Sequence, residues 1–513
     1  MVNRPPCHHA SPAIGVSSMQ TGTWISLSAY FVLMLGIGVY AWRKSTQDSE
    51  GYLLGGRDLG PGVTALSAGA SDMSGWLMLG LPGAIYTAGL GQAWIGIGLV
   101  IGAYLNYRLV APRLRTYTEI AGDAITVPDF LEGRFRDGGH ALRLISALVI
   151  IVFFTLYTSA GMVSGGKFAV SALGMDYTTG IVVTAGVVVA YTALGGFLAV
   201  SLTDFVQGCI MFVALILVPL VAYLHLGGDG LSQGIAVAEA SRGTSLTALV
   251  GGTVTPLAIL SAAAWGLGYF GQPHIIVRFM AIRRVEDMPT ARRINMVWMT
   301  VSLVGAILTG FIGAAWYASH PGAPKDAETV FILLSQVLFD PLIVGFVLAA
   351  ILAAIMSTIS SQLLVTSSSL TEDIYKTFLN KSASDRAQVT VGRLAVAAVA
   401  VVAGLLALNP DSSILSLVSN AWAGFGAAFG PAILFSLRWK RTTRQGVLAG
   451  MIVGTVVVIA WIVAGLSGVM YEIVPGFIAS SLAIWLVSKA TPPPSAETIA
   501  EFDHAALAAK PGE

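Results

Sequence analysis

The chain has 513 residues and a formal net charge of +1, and 55% of its residues are hydrophobic while only 11% are charged. Soluble domains carry roughly 25% charged residues, so this composition excludes water as the main solvent of the protein. The near-neutral charge and the lack of a long basic block give no sign of a nucleic-acid partner. Apolar runs of about 20 residues recur along nearly the whole sequence, and each is long enough to span a bilayer in contact with membrane lipid.

The first apolar run, at residues 24–42, is followed by Arg43 and Lys44. A secretory signal peptide carries its positive charges before the apolar run, so this segment is expected to remain as the first membrane helix. Residues 1–22 are expected to form a disordered tail on the outer, periplasmic side.

Glycine, proline and charged residues interrupt the remaining apolar runs and predict about thirteen spans in all. Their starts are expected near residues 23, 62, 91, 141, 178, 205, 253, 296, 341, 391, 413, 446 and 469. The segments 112–140, 227–250, 278–294, 320–329 and 370–390 are interpreted as connections. We therefore expect one transmembrane domain at residues 23–490 and a short tail at residues 491–513.

The distribution of Lys and Arg predicts the orientation of these spans. With the N-terminus outside, the 28 basic residues fall on the cytoplasmic side except for Arg4, Arg242 and Lys325, which lie outside, and Lys167, which lies within a span. Such an excess of basic residues marks cytoplasmic loops. The odd number of spans then places the C-terminus in the cytoplasm.

The second predicted span contains Asp72 within the segment LSAGASDMSGW at residues 66–76. A buried charge is costly in hydrocarbon, so an acidic residue in a span is a candidate functional residue. One interpretation is a packing seam of small residues that satisfies the carboxylate. The other is a helix interrupted in mid-membrane, whose freed main-chain groups face a solute cavity.

A second interruption occurs five predicted spans later, in the segment AWGLGYFGQPH at residues 264–274. Two broken spans in corresponding positions of two five-helix halves are typical of inverted-repeat transporters. Trp265, Tyr269 and Pro273 recur every four residues and so share one helical face. An aromatic stripe of this kind can equally be core packing, and the stripe alone leaves both interpretations open.

A hydroxyl-rich stretch, AAIMSTISSQ, lies at residues 353–362 in the ninth predicted span. Hydroxyls in membrane helices usually hydrogen-bond a backbone carbonyl or a neighbouring helix, so this stretch alone is weak evidence for ion binding. Carbonyls freed at a helix break and nearby Ser and Thr hydroxyls together provide the oxygen ligands that hard cations such as Na+ prefer.

These stretches closely resemble the sodium/solute symporter family, and within it the bacterial members that carry proline. The similarity covers residues 23–487 and is densest in GYLLGGRDLG at 51–60, SAGASDMSGWLMLGLPG at 67–83, WGLGYFGQPHIIVRFMA at 265–281 and in residues 350–376. The resemblance implies an all-α polytopic membrane protein with a leucine-transporter-type core. That core has two inverted five-helix repeats, here spans 2–6 and 7–11, with one span before them and two after.

The resemblance also implies roles for individual residues. The implied sodium site consists of the carbonyls of Ala70, Met73 and Ala354 and the hydroxyls of Ser357 and Thr358. The implied acidic residues for sodium coupling are Asp72, beside that site, and Asp204, on the sodium exit path. The implied substrate-binding residues are Ser74, Trp76, Tyr157, Trp265, Tyr269 and Pro273.

The function implied by the resemblance is sodium-coupled import of L-proline across the bacterial cytoplasmic (inner) membrane by alternating access, with Na+ as coupling ion and no other cofactor. Three alternatives stay open. A symporter of the same family could carry pantothenate, a sugar or another amino acid. A solute sensor would need a signalling domain, and none is recognisable in the sequence. An enzyme would need a catalytic or metal-binding motif, whereas the seven His are scattered along the chain.

Overall fold

The computed structural model describes residues 20–44, 49–252 and 254–509, and within these ranges the chain folds into helices joined by short turns. Ten helical stretches are long and apolar enough to cross a membrane. The protein is therefore a multi-pass membrane protein. The tail expected at residues 1–22 lies, up to residue 19, outside the described residues.

Some of these stretches contain more than one pass. Gly89 (φ 77°) separates the end of one pass from the next, and Gly196 (φ 57°) divides the helix Tyr177–Arg242. Before Gly196, the hydroxyl of Tyr177 donates a hydrogen bond to the carbonyl of Ala407. After Gly196, Gly234 packs against Ala315. The helices Asp385–Leu406 and Met288–Ser319 end beside these two alanines on the same face of the bundle, so the chain reverses direction at Gly196.

With the interrupted span near residue 270 included, the described chain crosses thirteen times. Spans 1–13 are Thr21–Lys44; Pro61–Asp72 with Trp76–Gly80 and Leu81–Ala88; Ala93–Leu109; Ala141–Leu173; 177–195; 197–226; Pro256–Gly271 with Pro273–Ala281; Met288–Ser319; Pro341–Leu379; Asp385–Leu406; Ile414–Arg438; Arg444–Val463; and Ile473–Ala490. Shorter helices lie between and after them: Ser49–Leu54, Gly55–Arg57, Gly89–Gln92, Ala111–Ile120, Val127–Phe135, 228–242, Val285–Asp287, Ala327–Thr329, Val330–Leu338, Leu466–Gly468 and Ala496–Ala508.

Several helices start earlier or run further than the hydrophobic pattern indicates. Span 6 begins at 197 and span 8 at Met288, each about eight residues before the expected start. The expected connection 112–140 contains two helices, and the expected connection 227–250 contains the helix 228–242, which Gly227 (φ 68°) separates from span 6. The physical reason is that apolar residues mark only the part of a helix in hydrocarbon, whereas its hydrogen-bonded backbone can continue into water.

Local sequence signals set many of the helix starts. Pro61, Pro256 and Pro341 occupy the first turn of their helices, where the missing N–H would have no partner inside the helix. The side chains of Ser413 and Thr443 accept hydrogen bonds from main-chain N–H groups three residues later, which caps spans 11 and 12.

Span 9 forms the centre of the bundle. In its most apolar window 83% of the residues are buried, compared with 28% for span 1 and 33% for spans 10, 12 and 13. The outer spans therefore present apolar side chains to lipid, while span 9 is surrounded by protein. A polar group on span 9 consequently has to find its partners within the bundle.

Lys167, the basic residue expected within a span, is tied to the face of the bundle at which span 4 ends. Its ammonium group lies 2.8 Å from Asp326 Oδ2 and 2.7 Å from Glu328 Oε2. Glu328 also accepts hydrogen bonds from the main-chain N–H groups of Ile414 and Leu415 at the start of span 11. The charge of Lys167 is thus compensated, and the ion pair joins span 4 to span 11.

The opposite face of the bundle carries Arg43, Arg115, Arg283 and Arg441, and we call it the basic face. The helix Ala496–Ala508 packs on this face, so the expected tail is helical over most of its length. Phe502 on this helix is buried against the helix Ala111–Ile120 and lies 5.1 Å from the Arg134 guanidinium.

Candidate functional site

Span 2 is interrupted at the expected place. Its first half ends at Asp72, and Met73 leaves the helical region with φ −81° and ψ 70° before the helix resumes at Trp76. Gly75 allows span 4 to pack closely against this break, because an added Cβ would lie 2.7 Å from Ser164 Cβ on span 4. The break therefore frees main-chain groups in the interior of the bundle, against a tightly packed neighbour.

Span 7 has a corresponding interruption. A 3₁₀ helix over Ala264–Gly271 ends at Gln272, which is extended (φ −86°, ψ 105°), and a new α-helix starts at Pro273. The Gln272 amide donates a hydrogen bond of 3.1 Å to the carbonyl of Trp422 on span 11. This contact holds the break of span 7 against span 11.

Four of the five implied sodium ligands lie together between spans 2 and 9. Ser357 Oγ lies 2.8 Å from the carbonyl oxygen of Ala70 and 3.2 Å from that of Ala354. Thr358 Oγ1 lies 3.5 Å and 3.4 Å from the same two carbonyl oxygens. All four residues are buried. We call this group, Ala70, Ala354, Ser357 and Thr358, the oxygen cage.

Met73, the fifth implied ligand, is buried one turn beyond Ala70 at the end of the first half of span 2. Its N–H bonds the carbonyl of Gly69 at 2.9 Å, and its non-helical ψ angle turns its own carbonyl out of the helical ladder. Its carbonyl makes no hydrogen bond with Ser357 or Thr358 among the described contacts. Met73 therefore adjoins the oxygen cage without forming part of its hydrogen bonds.

Asp72 lies at the point where spans 2 and 7 meet. It is 1% exposed, and its Oδ2 accepts a hydrogen bond from the hydroxyl of Tyr269. The indole of Trp76 donates a hydrogen bond of 3.1 Å to the main-chain carbonyl of Asp72. Among the described residues no Lys, Arg or His side chain pairs with this carboxylate, and the hydroxyl of Tyr269 is its one hydrogen-bond donor.

Aromatic side chains surround the two breaks. The rings of Trp76 and Trp265 have centroids 5.9 Å apart, and Trp265 in turn stacks on Trp422 at 6.3 Å and on Tyr471 at 5.4 Å. Tyr269 meets Trp422 edge-on at 5.3 Å. Trp265 and Tyr269 therefore line a common aromatic wall, to which span 11 contributes Trp422 and the turn before span 13 contributes Tyr471.

The other implied substrate-binding residues adjoin the same region. Ser74 lies in the break of span 2, and its Oγ accepts a hydrogen bond from the N–H of Trp76 at 3.3 Å. Tyr157 is buried on span 4 with its ring 6.1 Å from that of His274, and its hydroxyl has no hydrogen-bond partner among the described residues. Pro273 is buried at the start of the second half of span 7.

Asp204 lies within the bundle and carries an ion pair that the sequence did not predict. Its Oδ2 accepts hydrogen bonds from Ser67 at 2.7 Å, Arg278 at 3.2 Å and Ser361 at 3.3 Å. The interpretation of Arg278 as part of a basic connection is therefore wrong, since this residue is fully buried in span 7. A buried arginine is tolerated there because Asp204 compensates its charge and other hydrogen bonds satisfy its remaining donors.

A large cavity leads from the face opposite the basic face toward the aromatic wall. Its volume is about 1000 Å³, and its lining includes Ser261, Trp265, Asn420, Tyr471 and Glu472. Trp265 belongs to the broken segment of span 7 and also lines the cavity. The cavity exceeds the volume of a small solute and reaches the aromatic wall at Trp265 and Tyr471.

Two interrupted spans five apart, a buried carboxylate between them and an oxygen cage beside the first break define the class of inverted-repeat secondary transporters. The model of the "Sodium:solute symporter family" matches residues 52–454, which is most of the chain. The chain belongs to the sodium:solute symporter family.

Curated relatives cover almost the same length. The chain is 59% identical over 471 residues to the "High-affinity proline transporter PutP" and 56% identical over 473 residues to the "Osmoregulated proline transporter OpuE", both of Bacillus subtilis (strain 168). These matches cover 92% of this chain and 98% and 95% of those proteins. The "Sodium/proline symporter" of Staphylococcus aureus (strain JH9) is 52% identical over 484 residues, which is 92% of this chain and 94% of that protein.

Two solved structures share the fold. The substrate-bound, outward-open state of a Na+-coupled sialic acid symporter has a TM-score of 0.78 at 19% identity and covers 93% of this chain and 99% of its own. A closed, bromovinylhydantoin-bound form of Mhp1, a nucleobase-cation-symport-1 family transporter, has a TM-score of 0.54 at 14% identity and covers 88% of this chain and 98% of its own. At these identities the likeness establishes the fold, a leucine-transporter-type core, and nothing about the solute.

Proposed function

We propose that this protein is a sodium-coupled symporter that imports L-proline across the bacterial cytoplasmic membrane by alternating access. The observation that carries the proposal is the oxygen cage, which joins the break of span 2 to the hydroxyls of span 9 within 3.5 Å. Family membership and identities of 52–59% to relatives named as proline transporters support the choice of solute. In this proposal the basic face is cytoplasmic, the N-terminus lies outside and the C-terminus inside.

Sodium would bind within the oxygen cage with the Met73 carbonyl as fifth ligand. All five oxygens are neutral, which suits a monovalent ion that must be released again on the other side. A cation between spans 2 and 9 holds together an element with a helix break and the best-buried element of the bundle. Sodium binding would therefore order the break of span 2 before the solute arrives.

Asp72 and Tyr269 would couple the ion to the solute. Asp72 lies two residues beyond the cage carbonyl of Ala70 and contributes a negative charge near the ion, in an environment where such fields are weakly screened. Its carboxylate accepts the hydroxyl of Tyr269, whose ring belongs to the aromatic wall. Binding or release of the ion would thereby affect the aromatic wall through one hydrogen bond between spans 2 and 7.

The solute pocket would lie between the two breaks. Proline is a zwitterion with an apolar ring, so it needs N–H donors for its carboxylate, acceptors for its ammonium group and an apolar wall. The broken segments supply main-chain donors and acceptors, as helix breaks do in this class of transporter. The side chains in contact with the solute would be Ser74, Trp76, Tyr157, Trp265, Tyr269 and Pro273.

Asp204 would act on the cytoplasmic exit path of sodium, and its ion pair with Arg278 would reduce its attraction for the ion. Because Arg278 shares its carboxylate, Asp204 offers a departing cation a partly neutralised site rather than a full negative charge. A weakly attractive site favours release over trapping of the ion.

The driving force is sufficient for uphill import. A membrane potential of 100 mV contributes about 2.3 kcal/mol per sodium ion. A tenfold sodium gradient adds about 1.4 kcal/mol. Together, one sodium ion per solute would support an accumulation of roughly 500-fold.

The proposal is tested by uptake of labelled proline into proteoliposomes with and without an inward sodium gradient. We expect accumulation that depends on the gradient and collapses when a sodium ionophore is added. Competition by unlabelled pantothenate, sugars and other amino acids then separates proline from the alternative solutes. Sodium-dependent binding of proline without accumulation would instead indicate a sensor.

A further inference from the structure

A small closed chamber adjoins Asp72 on the side formed by spans 2, 3, 7 and 8. Its polar lining consists of Asp72, Asn106, Tyr107, Tyr269 and Asn295, and its volume is about 10 Å³. The oxygen cage takes its ligands from spans 2 and 9, so the chamber is a separate site. We call it the polar chamber.

The polar atoms around this chamber lack partners. Asp72 Oδ1, both amide atoms of Asn106, the hydroxyl of Tyr107 and Asn295 Oδ1 are buried and have no hydrogen-bond partner within the described part of the chain. Asp72 Oδ2, in contrast, is bonded by Tyr269. Orphaned polar atoms in a protein interior are costly, and a cluster of them around one cavity indicates that something within the cavity satisfies them.

The size and chemistry of the chamber favour a single water molecule. Its volume is at the lower limit for one water, which needs two to four polar partners. The Asn106 amide nitrogen and the Tyr107 hydroxyl can donate to a water, while Asp72 Oδ1 and Asn295 Oδ1 can accept from it. Both the donors and the acceptors of one water molecule are therefore matched.

Close packing keeps the chamber at this size. A Cβ added at Gly69, in the turn before Asp72, would lie 2.8 Å from both Asn295 Oδ1 and the Trp298 ring. Gly69 thus allows span 8 to approach span 2 until Asn295 faces the carboxylate region. Span 3 closes the chamber from the other side through Asn106 and Tyr107.

We propose that the polar chamber encloses one water molecule that joins Asp72 Oδ1 to Asn106, Tyr107 and Asn295, and that the two asparagines are positioning residues for the Asp72 carboxylate. Tyr269 then fixes one carboxylate oxygen directly and the water fixes the other. With both oxygens held, the orientation of the Asp72 carboxylate at the break of span 2 is fixed. This inference rests on the proposed sodium-coupled function.

The test replaces the asparagines with an apolar residue of similar size. Asn106→Leu and Asn295→Leu should each raise the half-saturating sodium concentration for proline uptake by about 5- to 30-fold, the effect of losing one buried hydrogen bond. Choline replaces sodium in the titration so that ionic strength stays constant. The apparent proline affinity at saturating sodium should change by much less, since neither asparagine is among the proposed solute-contacting residues. Asn295→Ser, which keeps a polar atom, should recover most of the sodium affinity.

Ser302→Ala is the matched control. Ser302 lies on the same span as Asn295, is fully buried and also has an unpartnered hydroxyl, but it does not line the chamber. The half-saturating sodium concentration of Ser302→Ala should equal that of the unsubstituted protein. Tyr107→Phe removes a single oxygen and serves as the chamber variant should a leucine variant fail to insert.

Sodium binding is also measured without transport, by the change in tryptophan fluorescence of purified protein on addition of sodium chloride. The inference is overturned if the chamber variants bind sodium as tightly as Ser302→Ala does. The chamber variants are Asn106→Leu, Asn295→Leu and Tyr107→Phe. A loss of proline affinity at saturating sodium as large as the loss of sodium affinity would also overturn it, because such a result indicates a purely structural role. If the unsubstituted protein itself shows no sodium dependence, the proposed function fails, which is a different result from either of these.

Discussion

Thr358 offers the sharpest test of the oxygen cage. Its Oγ1 lies 3.5 Å from the carbonyl oxygen of Ala70 and 3.4 Å from that of Ala354, and its side chain is buried. Thr358→Ala removes one of five proposed neutral ligands and leaves the other four in place. Sodium should then bind more weakly, while the site itself persists.

The size of the effect follows from the charge of the ion. An interaction with a charged group contributes about 1.5–3 kcal/mol, so sodium affinity should fall by roughly 10- to 150-fold. Sodium and proline must change each other's affinity by the same factor, because binding free energies are linked. Thr358→Ala should therefore bind proline poorly at low sodium and recover substantially when sodium is raised.

The assay is equilibrium binding of labelled proline across a sodium titration. Thr358→Ser keeps the oxygen and should stay close to the unsubstituted protein. Thr366→Ala is the control on the same span, because Thr366 is buried but bonds only the carbonyl of Gln362 in its own helix. If raised sodium fails to rescue Thr358→Ala, or if Thr358→Ser is as impaired as Thr358→Ala, then Thr358 is not a sodium ligand.

Three further predictions follow from the contacts around the site. Asp72→Ala should abolish sodium-driven uptake in protein that is still inserted in the membrane, and near-normal uptake at normal expression would contradict its role. Trp265→Ala should weaken proline affinity more than sodium affinity in parallel titrations; equal losses would make it a packing residue. Asp204→Asn should lower the thermal stability of the purified protein, since it leaves Arg278 buried with its charge uncompensated, at a cost of about 3–5 kcal/mol. The double variant Asp204→Asn/Arg278→Gln should be more stable than Asp204→Asn, and a double variant that is less stable would show that the pair does not interact as described.

The sequence predicts the features of this fold that depend on local pattern. Hydrophobic length predicts the spans, and an Asp among Gly and Ser predicts the break of span 2, because both follow from the solvation of backbone and charge in lipid. The hydroxyls of Ser357 and Thr358 are recognisable through the resemblance to a family. Their 2.8 Å and 3.5 Å distances to Ala70 are a property of the packed bundle.

Other features depend on contacts between residues far apart in the chain. Arg278 ends an apolar segment and looks like an interfacial residue, and only the approach of Asp204 shows that it is buried. Asn106 and Asn295 lie on different spans, and neither has a local signal that distinguishes it from an ordinary polar residue. The glycine-rich sequence of span 11 indicates a close helix approach, but it does not predict that Trp422 stacks on Trp265.

The central claim, that movement of sodium and of proline is coupled in one protein, is tested most directly by reversing the driving force. Proteoliposomes containing the purified protein are given equal sodium on both sides and an inward gradient of proline, and entry of radioactive sodium is followed. The proposed mechanism predicts sodium accumulation above its equilibrium level, lost in Asp72→Ala. Proline entry without any net movement of sodium would contradict the mechanism.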